Sequence, residues 1–157
     1  MPSLEQQLYQ AIVGSAAIQA LLARDAGGNI AFYDKQIPQQ NFANGIIAYP
    51  AGRYQRVASP RLFAHGAGSN QANVGRARFQ ITYFATTKNG TVVLDQIDQA
   101  TLAVFRTFDA YNGPTSPAIQ PQPGFFMYNS RTLIEPQTQP PLQKLEIDVT
   151  FNFSDHL

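Results

Sequence analysis

The closing stretch of this chain alternates without a fault. Leu145, Ile147, Val149, Phe151 and Phe153 share one parity, and Lys144, Glu146, Asp148, Thr150 and Asn152 share the other. A period of two is the geometry of a β-strand with one face buried and one face wet. A strand buried on both faces of a parallel sheet reads as an unbroken apolar run instead. The pattern therefore predicts an α+β fold: a mainly antiparallel sheet with helices packed on one face. Ala77–Thr86 predicts a second such strand, with Phe79, Ile81, Tyr83 and Ala85 on one face and Arg76, Arg78, Gln80 and Thr82 on the other.

Two helical patterns accompany these strands. Leu4, Leu8 and Ala11/Ile12 recur at helical spacing behind a Ser3…Gln6 capping box. Gly14-Ser15 interrupts the run, Ser15 caps a second turn carrying Ile18, Leu21 and Leu22, and Gly27-Gly28 is expected to end it. Val93–Tyr111 predicts the principal helix, with an apolar stripe of Ile97, Thr101, Val104/Phe105 and Phe108. Asp95 and Asp98 are expected near its positive N-terminus, and Asn112-Gly113-Pro114 is expected to stop it. Shorter strands are expected at Ile30–Tyr33, Ile46–Tyr49 and Phe125–Ile134. Between these elements, 51–75 reads as an extended basic loop or hairpin with Tyr54–Val57 as one arm. The segment 114–124, with Pro114, Pro117, Pro121 and Pro123, reads as a stiff solvated arm, and Pro136–Pro141 as a second spacer. A length of 157 residues suits a single domain, 1–157, with a core that needs no covalent staple.

Charge is scarce and unevenly placed. Charged residues make up 13%, about half the usual ~25%, and 17 Gln with 9 Asn supply the missing polarity. The net charge of +1 conceals a segregation. From Lys35 to Lys88 there is no acidic residue, yet the span holds Lys35, Arg53, Arg56, Arg61, Arg76, Arg78 and Lys88. The N-terminal flank sets Glu5, Asp25 and Asp34 against Arg24, and residues 95–157 set seven acids against three cations. Such a span predicts a positive surface that meets something negative. The candidate contact residues are Arg53, Arg56, Arg61, Arg76 and Arg78, with Glu146 and Asp148 on the polar face of the last strand.

Signatures of catalysis are missing. With no Cys, thiolate metal sites, disulfides and cysteine nucleophiles are excluded. His65 lies within the acid-free span, far in sequence from every Asp and Glu, and His156 is the penultimate residue, where chains usually fray, so neither is expected to be catalytic. No Walker, Rossmann, G-x-S-x-G or H-E-x-x-H pattern occurs. The expectation is no enzyme, no catalytic residue, no cofactor and no metal. The longest mostly apolar stretch, Ala11–Ala23, is too short to span a bilayer and lacks a basic lead, so neither membrane insertion nor a signal peptide is expected. Arg53, Tyr54, Arg56, Arg61 and Phe63 interleave cations with aromatic rings, which keeps a soluble nucleic-acid-binding module as an alternative.

The order of these pieces resembles a known family. Ala77-Arg78-Phe79-Gln80-Ile81-Thr82-Tyr83-Phe84-Ala85 running into Asp95–Gly113, then Leu145-Glu146-Ile147-Asp148-Val149, is similar to the tail terminator proteins of long-tailed bacteriophages and gene transfer agents. With the first helix, the resemblance covers about two thirds of the chain, and the loop 51–75 and the insert 114–124 depart from it. It implies a ring-forming subunit, typically of a hexamer, that caps the tail tube and joins it to the head or neck connector. The implied partners are further copies of the chain, the tail tube protein, a head-completion protein, and genomic DNA crossing the lumen without being read. The implied location is the virion neck, after assembly in the host cytoplasm. A connector stopper or a tube protein needs similar ring-building surfaces and stands as the nearest alternative.

Overall fold

Gly14 and Ser15 divide the N-terminal helical run, as the sequence predicts. The computed structural model describes residues 4–58, 61–63, 73–88, 90–109, 119–135 and 141–155. Helix α1 covers Leu4–Val13 and α2 covers Ala16–Leu21, with the Ser15 hydroxyl accepting from the Ile18 backbone N–H at 3.4 Å. After α2 the chain runs extended, and Gly27-Gly28 does not end the helix as expected. The pair lies in a turn between Arg24 and Ile30, which form an antiparallel bridge. Gly28 there adopts φ +80°, open to glycine without cost. The Asp25 carboxylate ties the turn, accepting from the N–H groups of Gly27 at 2.9 Å and Asn29 at 3.0 Å and from the Tyr33 hydroxyl at 2.9 Å. Those bonds hold the Asp25 carboxyl below its ordinary value.

One sheet organises the rest. Its main path runs β1 (Phe32–Asp34), β2 (Ala51–Ala58), β4 (Asn73–Thr86), β6 (Leu142–Asp155) and β5 (Ile119–Glu135), while β3 (Arg61–Phe63) pairs with β4 off that path. Every pairing is antiparallel except β1 with β2. Phe79, Ile81, Tyr83, Leu145, Ile147 and Val149 are all buried, as the alternation predicts. They face α1, α2 and α3 (Gly90–Asp109), whose Leu8, Ile12, Ile18, Leu94, Ile97 and Phe105 complete the core. Within it the Tyr83 hydroxyl and the Thr101 Oγ1 share a hydrogen bond of 3.0 Å, so both buried oxygens have a partner.

Several boundaries differ from the sequence reading. Within 51–75 the described residues are in strands: β2 and β3 pair along one edge of β4, and β2 runs Ala51–Ala58, longer than the expected arm Tyr54–Val57, while 59–60 and 64–72 lie outside the described residues. Ile46–Tyr49 is not a strand. It belongs to a segment that crosses to the sheet's other face, where Ile37, Ile47 and Tyr49 pack on Ala31, Phe42 and Ala51. Residues 119–124 are not a free arm but the start of β5, paired with β6 from Ile119↔Asp155 to Pro121↔Phe153, with a register shift before Phe126. Proline is tolerated there because β5 is an edge strand and needs no N–H on its outer side. Helix α3 begins at Gly90 rather than Val93, which moves Asp95 into the second turn and Asp98 into the third, beyond reach of the helix dipole. Asp98 instead accepts from the Tyr128 hydroxyl and, at 2.9 Å, from Ser130, pinning α3 to β5. Lys88-Asn89-Gly90 as a turn, the stop at Asn112-Gly113-Pro114, Pro114–Ala118, Pro136–Pro140 and both histidines fall wholly or partly outside the described residues.

Candidate functional site

Helices cover one face of the sheet and leave most of the other open. The register puts matching parities of four strands in transverse rows on that open face. Arg53, Thr82, Glu146 and Arg131 form one row, from β2 through β4 and β6 to β5. Gln55, Gln80, Asp148 and Asn129 form the next, and Arg78, Thr150 and Met127 a third. The segment carrying Phe42, Ile47 and Tyr49 covers the β1 end of this face, so the rows sit at the foot of a wall. Between them lies a depression of about 330 Å³ lined by Arg53, Gln80, Thr82, Asn129, Arg131, Glu146 and Asp148, with Thr82 nearly buried at its floor.

Ion pairs order this tray. Glu146 accepts from Arg131 at 2.6 Å and pairs with the Lys144 ammonium at 3.0 Å; Asp148 pairs with Arg78 at 3.3 Å. The hydrogen bonds from Arg131 and then Lys144 pull the Glu146 carboxyl below its usual 4.5, against a smaller desolvation cost. The Glu146 carboxylate is thus held as an acceptor rather than a proton donor. Arg53 differs from the other cations. It is exposed, its guanidinium lies 5.5 Å above the Phe84 ring, and among the described residues it makes no ion pair.

The sequence places the five arginines in one basic region, and the fold separates them. Arg53 and Arg78 reach the tray. Arg56 lies on the helix side of β2 and bonds Glu5 of α1 at 2.9 Å. Arg61 of β3 pairs with Gly75 of β4 and Arg76 of β4 pairs with Asn152 of β6, and the side chains of both arginines fall outside the described set. Glu146 and Asp148 share the polar face as expected, and their arginine partners come from the same chain. Sequence reading missed Arg131, because nothing local marks it; it becomes a tray residue only through the pairing Arg131↔Glu146. Among the described residues, no three His, Asp or Glu side chains gather to hold a metal, and no helix is long and apolar enough to cross a membrane.

Comparison with known proteins finds no matching family model and no matching curated protein.

The Glu146 shift sets a pH test. Its folded value lies below 4.5, so its contribution is fully present above the unfolded value and is lost as pH falls through the folded one. Glu146→Gln is expected to lower stability at pH 7 by up to ~1 kcal/mol, the range of a partly exposed pair. The gap between the urea midpoints of variant and wild type should narrow as the pH is lowered below 4.5, and a gap that does not narrow would show that the carboxylate's charge is not what stabilises the pairing.

Proposed function

We propose that this chain is a structural subunit that assembles head to tail into a homo-oligomeric ring, of the kind that caps a phage tail tube and joins it to the head connector. The observation that carries this reading is the open, mixed-charge face of the sheet. It is a broad polar surface, half-enclosed by a wall, with Glu146 and Asp148 each paired to a cation of the same chain, and it suits docking better than turnover. The element order supports the terminator assignment through the resemblance already described. Low overall charge and many amide side chains favour large protein–protein contacts, since charge is depleted at interface centres. Heterologous contacts between two different patches of identical subunits close into rings when the rotation permits. In that role the partners are neighbouring copies, the tube protein and a head-completion protein, with DNA passing through the lumen and the ring residing in the virion neck.

Native mass spectrometry of the purified chain over a concentration series, alone and with isolated tail tubes, tests this. The expected result is a closed oligomer, six-fold by analogy, visible by electron microscopy at one end of the tube. A chain that remains monomeric in both settings would sink the reading. Salt-dependent DNA binding by that monomer would move the assignment to the nucleic-acid-binding module.

A further inference from the structure

Folding neutralises much of the charge segregation within one subunit, and what it leaves over is informative. Glu5, Glu146 and Asp148 are each paired with a cation, Asp25 ties its own turn, and Asp98 takes Tyr128 and Ser130. Among the described side chains, the carboxylates left without an ion pair or hydrogen bond are Asp34 and Asp95. Asp34 adjoins Lys35, which offsets it in sequence. Asp95 has Thr91, Val92, Asp98 and Gln99 one helical turn away and no cation among them. It is exposed on the outer side of α3, with Gln96 and Gln99, while Leu94, Ile97, Thr101 and Phe105 turn inward.

The tray carries the complementary charge. Among the described side chains of that face, Arg53, Arg78, Arg131 and Lys144 stand with Glu146 and Asp148, and Arg53 is the one of the four that makes no ion pair. Tray and outer α3 lie on opposite sides of the sheet, so Arg53 and Asp95 of one subunit do not reach each other; Arg106, the other exposed charge of α3 among the described side chains, lies in its last turn, three turns from Asp95. Dimensions agree as well: the four strands from β2 to β5 span about 14 Å, and a helix with its side chains is about 10–12 Å across.

We infer that the tray of one subunit receives the outer face of α3 from the next copy, with Asp95 set against Arg53. This rests on the ring reading and specifies its seam. Gln96 and Gln99 then face the amides of Gln80 and Asn129 in the depression, with Gln55 beside Gln80 in the same row, which supplies matching donors and acceptors. An exposed ion pair adds little affinity, so the pair acts chiefly to fix orientation and register. Because the patches are different and lie on opposite faces, the contact is heterologous and propagates from copy to copy.

The absence of native cysteine makes the test clean. Arg53→Cys and Asp95→Cys proteins, each verified by circular dichroism to be folded, are mixed and oxidised. The expected product is a mixed disulfide dimer, at least about fivefold more abundant than the dimer from either protein alone or from Arg53→Cys mixed with Lys88→Cys. The double variant is expected to give a ladder of cross-linked multimers. Equal cross-linking in all mixtures, or none in any, overturns the inference. The two readings fail separately: a closed wild-type ring without 53–95 cross-links sinks the seam alone, whereas a ladder that never closes sinks the ring and keeps the seam.

Discussion

Gly52→Val is expected to leave no folded protein, and Gly52→Ala to cost about 1–3 kcal/mol, the range for forcing one carbon into a packed core. Gly52 sits in β2 opposite Tyr83 of β4, beside Phe32 of β1, on the face turned toward the helices. A Cβ built there would lie 2.6 Å from Tyr83 Cδ1, 2.8 Å from Tyr83 Cε1 and 2.9 Å from Phe32 Cδ1. Neither ring can retreat. Tyr83 is fully buried and anchored through its hydroxyl to Thr101, and Phe32 is stacked between Tyr54 and Tyr83. Alanine forces a shift of several tenths of an ångström; valine adds two more methyl groups to the same space. Urea unfolding followed by near-ultraviolet circular dichroism checks this, because tyrosine reports the core in a chain without tryptophan. An unchanged midpoint for Gly52→Ala would mean the rings do not lie over that strand.

That glycine also explains why β2 was hard to read. Its helix-side positions are Gly52, Tyr54 and Arg56, and its other face begins with Ala51 and Arg53. A single large apolar residue among them gives no alternation, because the volume above Gly52 is filled by rings from neighbouring strands. By contrast, β4 and β6 carry their own burial in their own side chains, and their faces were legible from period two alone. Ile46–Tyr49 has a strand's composition, yet Ile46 is 71% exposed and its neighbours serve as a cover. Composition reports that a segment wants burial, and not which surface it will bury. The break at Gly14-Ser15 was legible because capping is local; the origin of α3 was not, since Gly90 is an unmarked start.

The candidate surface follows the same division. The polar parities of β4 and β6 were legible, and so was the segregation of charge. What the sequence conceals is register. Arg78 reaches Asp148, and Arg131 reaches Glu146, only because β6 lies between β4 and β5 with the pairings Gln80↔Asp148 and Arg131↔Glu146. Register therefore decides which strand charges fold away inside one subunit and which, like that of Arg53, are left facing outward.

Phe32→Ala is expected to be the most damaging single truncation, at about 3–5 kcal/mol, with a fall in thermal midpoint of roughly 6–20 °C for a chain of this size. Phe32 is 1% exposed and joins elements that are otherwise held by little. Its ring lies 6.3 Å from Tyr9 of α1, 5.1 Å from Tyr54 of β2 and 5.8 Å from Tyr83 of β4. Each such aromatic contact adds about 0.5–1.5 kcal/mol beyond the area it buries. β1 has only three residues in its parallel pairing with β2, so the ring, more than the ladder, fixes it to the sheet. The loss should also be visible at Tyr54, whose hydroxyl is pushed up to about 12, mainly by burial. Removing the ring that covers it admits water, so the Tyr54 value should move back toward 10 in an ultraviolet titration of the still-folded variant. Phe32→Leu, which keeps most of the volume, should recover at least half the stability but not the stacking. If Phe32→Ala costs less than 1 kcal/mol and leaves the Tyr54 titration in place, the ring is not the joint between the N-terminal helix and the sheet.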